Sequence, residues 1–137
     1  MYSATTTIRV RYSETDQMHY VYYGNYATYY EVARVDALRQ LGLSYTDLEN
    51  SGIMMPVLEN HSYYHKPAKY DELLTIKVVI PQLPLAKIKF EYEIYTEDGD
   101  KIHTGSTTLA FLKIGSGKPT RAPSEMTALL APFFDEK

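Results

Sequence analysis

The 137-residue sequence contains no cysteine, and this absence excludes several chemistries at once. A disulfide framework, a thiol nucleophile and a zinc site with cysteine ligands all require residues that the chain lacks. No apolar run reaches the length of a membrane-spanning helix. The first residues, MYSATTTIRVRY, also lack the apolar core of a secretory signal. We therefore expect a cytoplasmic protein without a membrane partner.

The charge has no strong excess of one sign. The formal net charge is −3, so the chain lacks the basic field that nucleic-acid-binding proteins use, and we expect no nucleic-acid partner. Hydrophobic residues make up 45% of the sequence and charged residues 23%, which is ordinary for a soluble globular protein. The length predicts one domain, residues 1–137, with one core.

Three familiar site motifs are absent or incomplete. The segment GSGKP resembles a phosphate-binding loop, but Leu112 stands where the first glycine belongs and Pro119 replaces the Ser or Thr that would meet magnesium. No Gly-x-Ser-x-Gly elbow of a serine hydrolase occurs. His61 and His65 would lie roughly 13 Å apart on a strand and have no third ligand nearby, so we expect no metal site.

Tyrosine is the residue type present in excess. The chain has 14 tyrosines, and nine of them fall within the first 45 residues. Each ring has an apolar face and a polar tip, which suits protein interfaces and ligand pockets. A tyrosine-rich core explains the same composition equally well, so both interpretations remain open.

The apolar periodicity predicts an α+β domain. Residues 5–12 alternate as a strand does, and the pattern becomes helical from Asn25, the expected N-cap, to Leu41, with Gly42 as the expected end. One antiparallel sheet curled around this long helix would bury the apolar surface of the helix. The other expected features are a short helix at 46–50 with Thr46 and Glu49 as its capping box, strands at 57–65, 73–80, around 87–94 and about 101–114, a turn at Gly99, a bulge at Gly105, and a final helix capped by Ser124.

The segment ETDQMHYVYYGNY at 14–26 places one carboxylate, Asp16, among several aromatic rings. Asp16 lies between a strand and the helix, near the free backbone N–H groups at the positive end of the helix dipole. Such a carboxylate can deliver or activate a nucleophile while the N–H groups hold an oxyanion. The simpler alternative is that Asp16 caps a surface turn, and spacing alone does not decide between them.

The same segment resembles the signature of the hotdog-fold acyl-CoA thioesterases, in the branch of 4-hydroxybenzoyl-CoA thioesterase and the YbgC-like enzymes. A second segment, YYHKPAKYDELL, is similar to the family's Tyr-x-x-Pro-Ala…Asp-x-Leu pattern, and the element order agrees along nearly the whole chain. The matching positions are Arg9–Tyr12, Thr15, Asp16, Val21, Tyr22, Asn25, Tyr26, Glu31, Arg34, Tyr64, Pro67, Ala68, Asp71, Leu73 and the TRAP segment at 120–123.

The resemblance implies a hotdog fold, in which a five-stranded antiparallel sheet wraps around a long central helix. It also implies homodimers, often paired into tetramers, with the active site at the dimer interface. Asp16 would be the catalytic carboxylate, as nucleophile or as base for water, and the backbone N–H of Tyr23 would polarise the thioester carbonyl. A thiolate leaves with a pKa near ~8.5, so neither a strong general acid nor a metal or organic cofactor is required.

The remaining candidates concern substrate contacts and support for the loop. Glu31 is expected to fix the loop of Asp16 if it is buried, or to pair with Arg34 on the helix if it is exposed. Asn25 and Tyr26 belong to the predicted substrate-binding set, but each has a simpler interpretation. Asn25 is then a helix cap, and Tyr26 is a packed ring. That set consists of His19, Tyr22, Asn25, Tyr26 and His61.

Two positions depart from the family's pattern. His19 replaces a glycine, which tolerates a positive φ better than histidine does, and Tyr23 replaces the histidine of many YbgC-like members. Both changes bear on substrate choice and rate rather than on the fold. We expect the substrate to be a thioester of coenzyme A or of an acyl carrier protein. The alternatives are a non-catalytic acyl-thioester-binding module and a hotdog dehydratase, and the retention of Asp16 favours hydrolysis.

Overall fold

The computed structural model describes residues 1–135 and has an α+β architecture, in which a five-stranded antiparallel sheet packs against a 17-residue helix. The predicted five-stranded antiparallel sheet is thus confirmed. Its strands lie in the order β1-β4-β5-β6-β3, and β2 and β7 form a separate pair. The elements are β1 (Tyr2–Arg9), α1 (Asn25–Leu41), α2 (Tyr45–Asn50), β2 (Ile53–Met54), β3 (Val57–Tyr64), β4 (Leu73–Ile80), β5 (Lys87–Tyr95), β6 (Lys101–Ala110), β7 (Leu112–Lys113) and α3 (Ser124–Leu130).

Alternation along the strands decides which face of the sheet is buried. In β5, Ile88, Phe90 and Ile94 are fully buried, whereas the lysines and glutamates between them are exposed or half-buried. α1 contacts β1 and β4, and its Tyr30 stacks on Tyr92 of β5 with ring centroids 4.0 Å apart. Complete burial of one large apolar side chain contributes about 1.5–3 kcal/mol, so the face under α1 supplies much of the driving force for folding.

The two ends of α1 are fixed in different ways. Asn25 is not the N-cap that we predicted, because it is the first helical residue and Gly24 occupies the cap position. The Asn25 side chain instead donates from Nδ2 to the carbonyl oxygen of Glu14 at 2.8 Å. At the other end Gly42 adopts a left-handed φ of 107°, and its N–H donates to the carbonyls of Leu38 and Arg39, which confirms the predicted stop.

Three smaller boundaries differ from the prediction. β1 ends at Arg9 rather than at residue 12, because Tyr12–Glu14 form a 3₁₀ turn. The capping box of α2 joins Ser44 and Asp47, two residues before the predicted pair, with reciprocal hydrogen bonds of 3.0 and 3.1 Å. α3 begins at Ser124 with Pro123 at the cap position, and no side chain caps it.

Gly105 of β6 is not a bulge. It pairs in register with Ser62 of β3 and with Tyr92 of β5. A Cβ at Gly105 would collide with the hydroxyl of Tyr30, so this glycine permits a close approach of α1 to the sheet. The predicted strand 101–114 is interrupted at Phe111, and the short β7 beyond it pairs with β2.

β3 lies at one edge of the sheet and is exposed along nearly its whole length. Its large side chains Val57, Leu58, Tyr63 and Tyr64 are between 50 and 61% exposed. An uncovered edge with apolar side chains is a surface on which another strand can pair. Among residues 1–135 there is no helix with the length and apolar character needed to span a membrane.

Candidate active site

The loop from Asp16 to Tyr20 is a tight turn between β1 and α1. The N–H of Asp16 donates to the carbonyl of Tyr20 and the N–H of His19 donates to the carbonyl of Asp16, both at 2.9 Å. His19 adopts a positive φ of 68°, the conformation for which glycine is better suited. His19 therefore holds a left-handed backbone at a cost of order 1 kcal/mol.

The carboxylate of Asp16 caps this turn through one of its two oxygens. Oδ1 accepts hydrogen bonds from the N–H groups of Met18 at 2.9 Å and Tyr20 at 3.4 Å. No donor among residues 1–135 contacts Oδ2, and the side chain is only half-buried. The turn thus orients the carboxylate through Oδ1 and leaves Oδ2 available for chemistry.

Asp16 lies between two cavities of different character. One has a volume of about 350 Å³ and a mainly apolar lining. The other has a volume of about 750 Å³ and a more polar lining that includes Thr15, Gln17 and His19. The residues that line the smaller, apolar cavity are Asp16, Met18, Tyr20, Val21, Tyr23, Tyr26, Tyr64, His65, Lys66 and Pro67.

The backbone N–H groups just before α1 differ from the first N–H of the helix in their hydrogen bonding. Within residues 1–135, the backbone N–H groups of Tyr23 and Gly24 donate no hydrogen bond, whereas the next N–H, of Asn25, donates to the carbonyl of Tyr22 at 2.9 Å. Free N–H groups at a helix N-terminus carry partial positive charge. Tyr23 also lines the apolar cavity together with Asp16.

A second carboxylate, Glu14, supports the loop, and the sequence analysis missed it. Glu14 is only 6% exposed, and its carboxylate accepts hydrogen bonds from the backbone and guanidinium of Arg11 and from the hydroxyl of Tyr29. Its own carbonyl accepts from the backbone N–H of Tyr22 at 2.8 Å. Desolvation raises the pKa of Glu14, but the hydrogen bonds from Arg11 and Tyr29 outweigh it, and the pKa lies below its ordinary value.

Glu31, for which we predicted a supporting role, is exposed on α1. It also does not pair with Arg34, because the Arg34 side chain is buried and donates from Nη1 to the Tyr92 hydroxyl at 3.1 Å. A sequence signal for Glu14 did exist. Arg11 and Glu14 are three residues apart and Glu14 comes directly before the Thr15–Asp16 pair.

The other predicted binding residues lie in different surroundings. Tyr22 and Tyr23 are exposed and in contact, with ring centroids 4.7 Å apart, and the hydrogen bond with Tyr23 raises the pKa of Tyr22. Tyr26 is buried in the cavity wall, and burial raises its pKa to about 12. His61 is exposed on β3, outside both cavities, and is hydrogen-bonded to Glu59 at 3.0 Å.

Behind Tyr26 lies a buried histidine that no sequence motif indicated. His103 of β6 is fully buried, and burial lowers its pKa to about 4, so the ring is neutral near pH 7. Its position on the buried face of β6 follows only from the pairing register, in which it lies opposite Ile94 and Tyr64. Among the described residues, no group of three or more histidine, aspartate or glutamate side chains is arranged to hold a metal.

Three comparisons with known proteins bear on this site. The family model of the thioesterase-like superfamily matches residues 10–130. YneP of Bacillus subtilis, for which acyl-CoA thioesterase activity is proposed, is 36% identical over 100 residues, covering 73% of this chain and 72% of that protein. The acyl-CoA thioester hydrolase YbgC of Escherichia coli is 25% identical over 121 residues, covering 88% and 90%. A crystal structure of DHNA-CoA thioesterase from Staphylococcus aureus superposes with a TM-score of 0.92 at 36% identity, covering 98% of this chain and 92% of that one.

Proposed function

Because the chain belongs to the thioesterase-like superfamily, we propose that it is an enzyme that hydrolyses acyl-CoA thioesters to a free acid and coenzyme A. The observation that carries this proposal is that one apolar cavity is lined by both Asp16 and Tyr23, whose N–H has no acceptor among residues 1–135. In the hotdog arrangement that we propose, the sheet wraps around α1, so that the N-terminus of this helix opens at the substrate.

The chemistry requires an attack on the thioester carbonyl carbon and the departure of a thiolate. Asp16 either attacks this carbon through its free oxygen or removes a proton from the water that attacks it. The Tyr23 N–H then stabilises the negative charge on the carbonyl oxygen. The C–S bond breaks, and the thiolate, whose pKa is near ~8.5, takes up a proton from solvent. When Asp16 is the nucleophile, water hydrolyses the resulting anhydride.

The remaining site residues divide into contacts and supports. We propose that Tyr26 forms part of the acyl wall and that His19 contacts the substrate from the polar cavity. Exposed Tyr22 contacts the ring of Tyr23, and we propose that it meets the substrate there. Asn25 acts through its bond to the Glu14 carbonyl rather than through the substrate. Because the cavity wall is aromatic, as suits the DHNA-CoA that the Staphylococcus aureus relative hydrolyses, we expect an aromatic acyl group to fit it.

We further propose that the working form is a homodimer, with tetramers as pairs of dimers. The exposed edge strand β3 ends at Tyr64, which lines the same cavity as Asp16. Pairing of β3 with a second copy would cover the apolar edge and close the cavity from one side. His61, on the same strand, would then contact substrate only in the dimer.

A non-catalytic acyl-thioester-binding module is the second candidate, because Oδ1 of Asp16 is engaged in the turn. Release of free thiol from acetyl-, hexanoyl-, palmitoyl- and benzoyl-CoA, and from a matching acyl carrier protein, distinguishes the two. Turnover of at least one of these thioesters supports the hydrolase. Saturable binding of several thioesters without thiol release would replace it by the binding module.

A further inference from the structure

One buried histidine contacts two of the four tyrosine rings that line the apolar cavity. The His103 ring stacks on Tyr26 with centroids 4.1 Å apart and an interplanar angle of 4°. The same ring meets Tyr64 edge-on at a centroid distance of 5.0 Å. Tyr26 and Tyr64 line the cavity beside Asp16, whereas His103 does not. His103 therefore contacts the wall from behind without reaching the substrate.

Only one nitrogen of His103 has a hydrogen-bond partner among the described residues. Nε2 is hydrogen-bonded to the hydroxyl of Tyr30, which is in turn hydrogen-bonded to Oγ of Ser62 at 2.7 Å. Nδ1 is buried and has no partner within residues 1–135. Since the ring is sealed from bulk water, the Tyr30 hydroxyl is the polar contact that fixes its rotation.

Tyr30 is itself held in a space shaped for its hydroxyl. Its ring is fully buried and stacks on Tyr92 with an interplanar angle of 4°. Gly105 lies opposite, and any Cβ at that position would collide with the Tyr30 hydroxyl. β6 therefore contributes both His103, which is hydrogen-bonded to the Tyr30 hydroxyl, and Gly105, which leaves space for that hydroxyl. Position 30 can hold a tyrosine hydroxyl only because position 105 has no side chain.

We propose that the Tyr30–His103 pair is a positioning device that sets the orientation of the Tyr26 and Tyr64 rings and thereby selects the acyl group. Neither residue of the pair touches substrate. The Tyr26 and Tyr64 rings meet at 75° with centroids 5.5 Å apart, so the orientation of each ring limits the rotation of the other. A rigid wall favours a planar, rigid acyl group, whereas a wall that can rotate accommodates a flexible alkyl chain with less penalty.

This inference rests on the proposed acyl-CoA hydrolysis, and the test compares two substrates and two matched variants. Tyr30→Phe removes the hydroxyl at His103 and keeps the ring. Tyr92→Phe makes the same change at an equally buried ring, whose hydroxyl is bonded to Arg34 and Thr107 instead. The readouts are kcat and KM for benzoyl-CoA and hexanoyl-CoA.

Tyr30→Phe should lower the benzoyl-to-hexanoyl ratio of kcat/KM by about 3- to 10-fold, the effect of one lost buried hydrogen bond. The loss should appear mainly in KM for benzoyl-CoA, because Asp16 is not altered. Tyr92→Phe should leave the ratio within about 2-fold, since its hydroxyl is bonded to Arg34 and Thr107 and not to His103. Equal shifts in the two variants, or an unchanged ratio in Tyr30→Phe, would overturn the proposal.

Two further measurements keep the inference separate from folding and from the proposed activity. Ser62→Ala, which removes the second partner of the Tyr30 hydroxyl, should shift the ratio in the same direction by a smaller factor. Long-range proton–nitrogen spectra should show changed His103 ring shifts in Tyr30→Phe and unchanged ones in Tyr92→Phe.

If the wild type releases no thiol, the ratio of dissociation constants for the two acyl-CoAs replaces kcat/KM. In that case the proposed hydrolysis has failed, and the dissociation constants still decide the role of the pair.

Discussion

The hydroxyl of Tyr29 donates a hydrogen bond to Oε1 of Glu14 across 2.8 Å, and this contact joins α1 to the loop that carries Asp16. Arg11 donates to the same carboxylate from its backbone N–H, its Nε and its Nη2. Hydrogen bonds to a charged acceptor are stronger than those between neutral groups. The buried carboxylate therefore fixes the backbone two residues before Asp16.

Removal of the Glu14 charge should destabilise the protein at neutral pH. Glu14→Gln loses charge-assisted bonds, so the free energy of unfolding at pH 7 should fall by about 1–3 kcal/mol. Because the pKa of Glu14 is lower in the folded protein, its contribution is present above the unfolded value and is lost as the pH falls through the folded value. The difference between wild type and variant should therefore shrink below about pH 4. Urea denaturation at pH 7 and pH 3.5 measures both effects.

Glu31→Gln is the matched control for this prediction. Glu31 is exposed on α1, and its substitution should change the free energy of unfolding by less than about 0.5 kcal/mol. Equal losses in the two variants would show that Glu14 has no special supporting role.

The buried His103 predicts a second pH dependence of stability, in a different range. Burial lowers its pKa to about 4, while in the unfolded chain the value returns to the ordinary 6.5. The unfolded state therefore binds a proton between these values that the folded state does not, and stability falls as the pH is lowered through this range. The loss attributable to His103 should reach about 3 kcal/mol between pH 7.5 and pH 4.

Chemical denaturation at half-unit steps from pH 7.5 to pH 4 measures this slope. His61→Gln should retain it, because His61 is exposed on β3. His103→Asn should be less stable at pH 7.5 and should lack most of the slope between pH 6.5 and pH 4. A His103→Asn variant with the full wild-type slope would assign the effect to other groups.

The fold was largely predictable from the sequence because its main signals are local. Alternation in β5 and the end of α1 at Gly42 each depend on a few neighbouring residues, and both predictions are confirmed. The helix start was predicted less well, because Asn25 forms its hydrogen bond with Glu14, eleven residues earlier in the chain. The prediction of a bulge at Gly105 is wrong because nothing near this glycine in sequence reveals that Tyr30 packs against it.

The site was predictable only in part, for the same reason. A motif placed Asp16 between a strand and a helix, and the structure brings it to one cavity with Tyr23 and Tyr26. The contacts of His103 depend on strand register and on helix packing between residues far apart in the sequence. A single histidine in a strand carries no pattern that reveals such contacts.

The exposed edge of β3 predicts the oligomeric state. The wild type should have the mass of a dimer or tetramer in light scattering at micromolar concentration. Leu58→Lys places a charge on the exposed edge strand and should shift the protein towards the monomer, with loss of activity. Ile114→Lys alters a side chain of similar exposure outside the five-stranded sheet and should leave the mass unchanged. A monomeric wild type with full activity would refute the dimer.

The kcat of Asp16→Asn tests the central claim most directly. The amide oxygen of asparagine can still accept from the N–H groups of Met18 and Tyr20, so the turn and the oligomer should survive. An amide is a poor nucleophile and a poor base, so kcat should fall by about 10²–10⁴, or about 3–5.5 kcal/mol of barrier, with a much smaller change in KM. Asp36→Asn, which removes a carboxylate from the last turns of α1, should retain wild-type kcat. A folded Asp16→Asn protein with near-normal kcat would contradict the account, because Asp16 would then serve only to cap the turn.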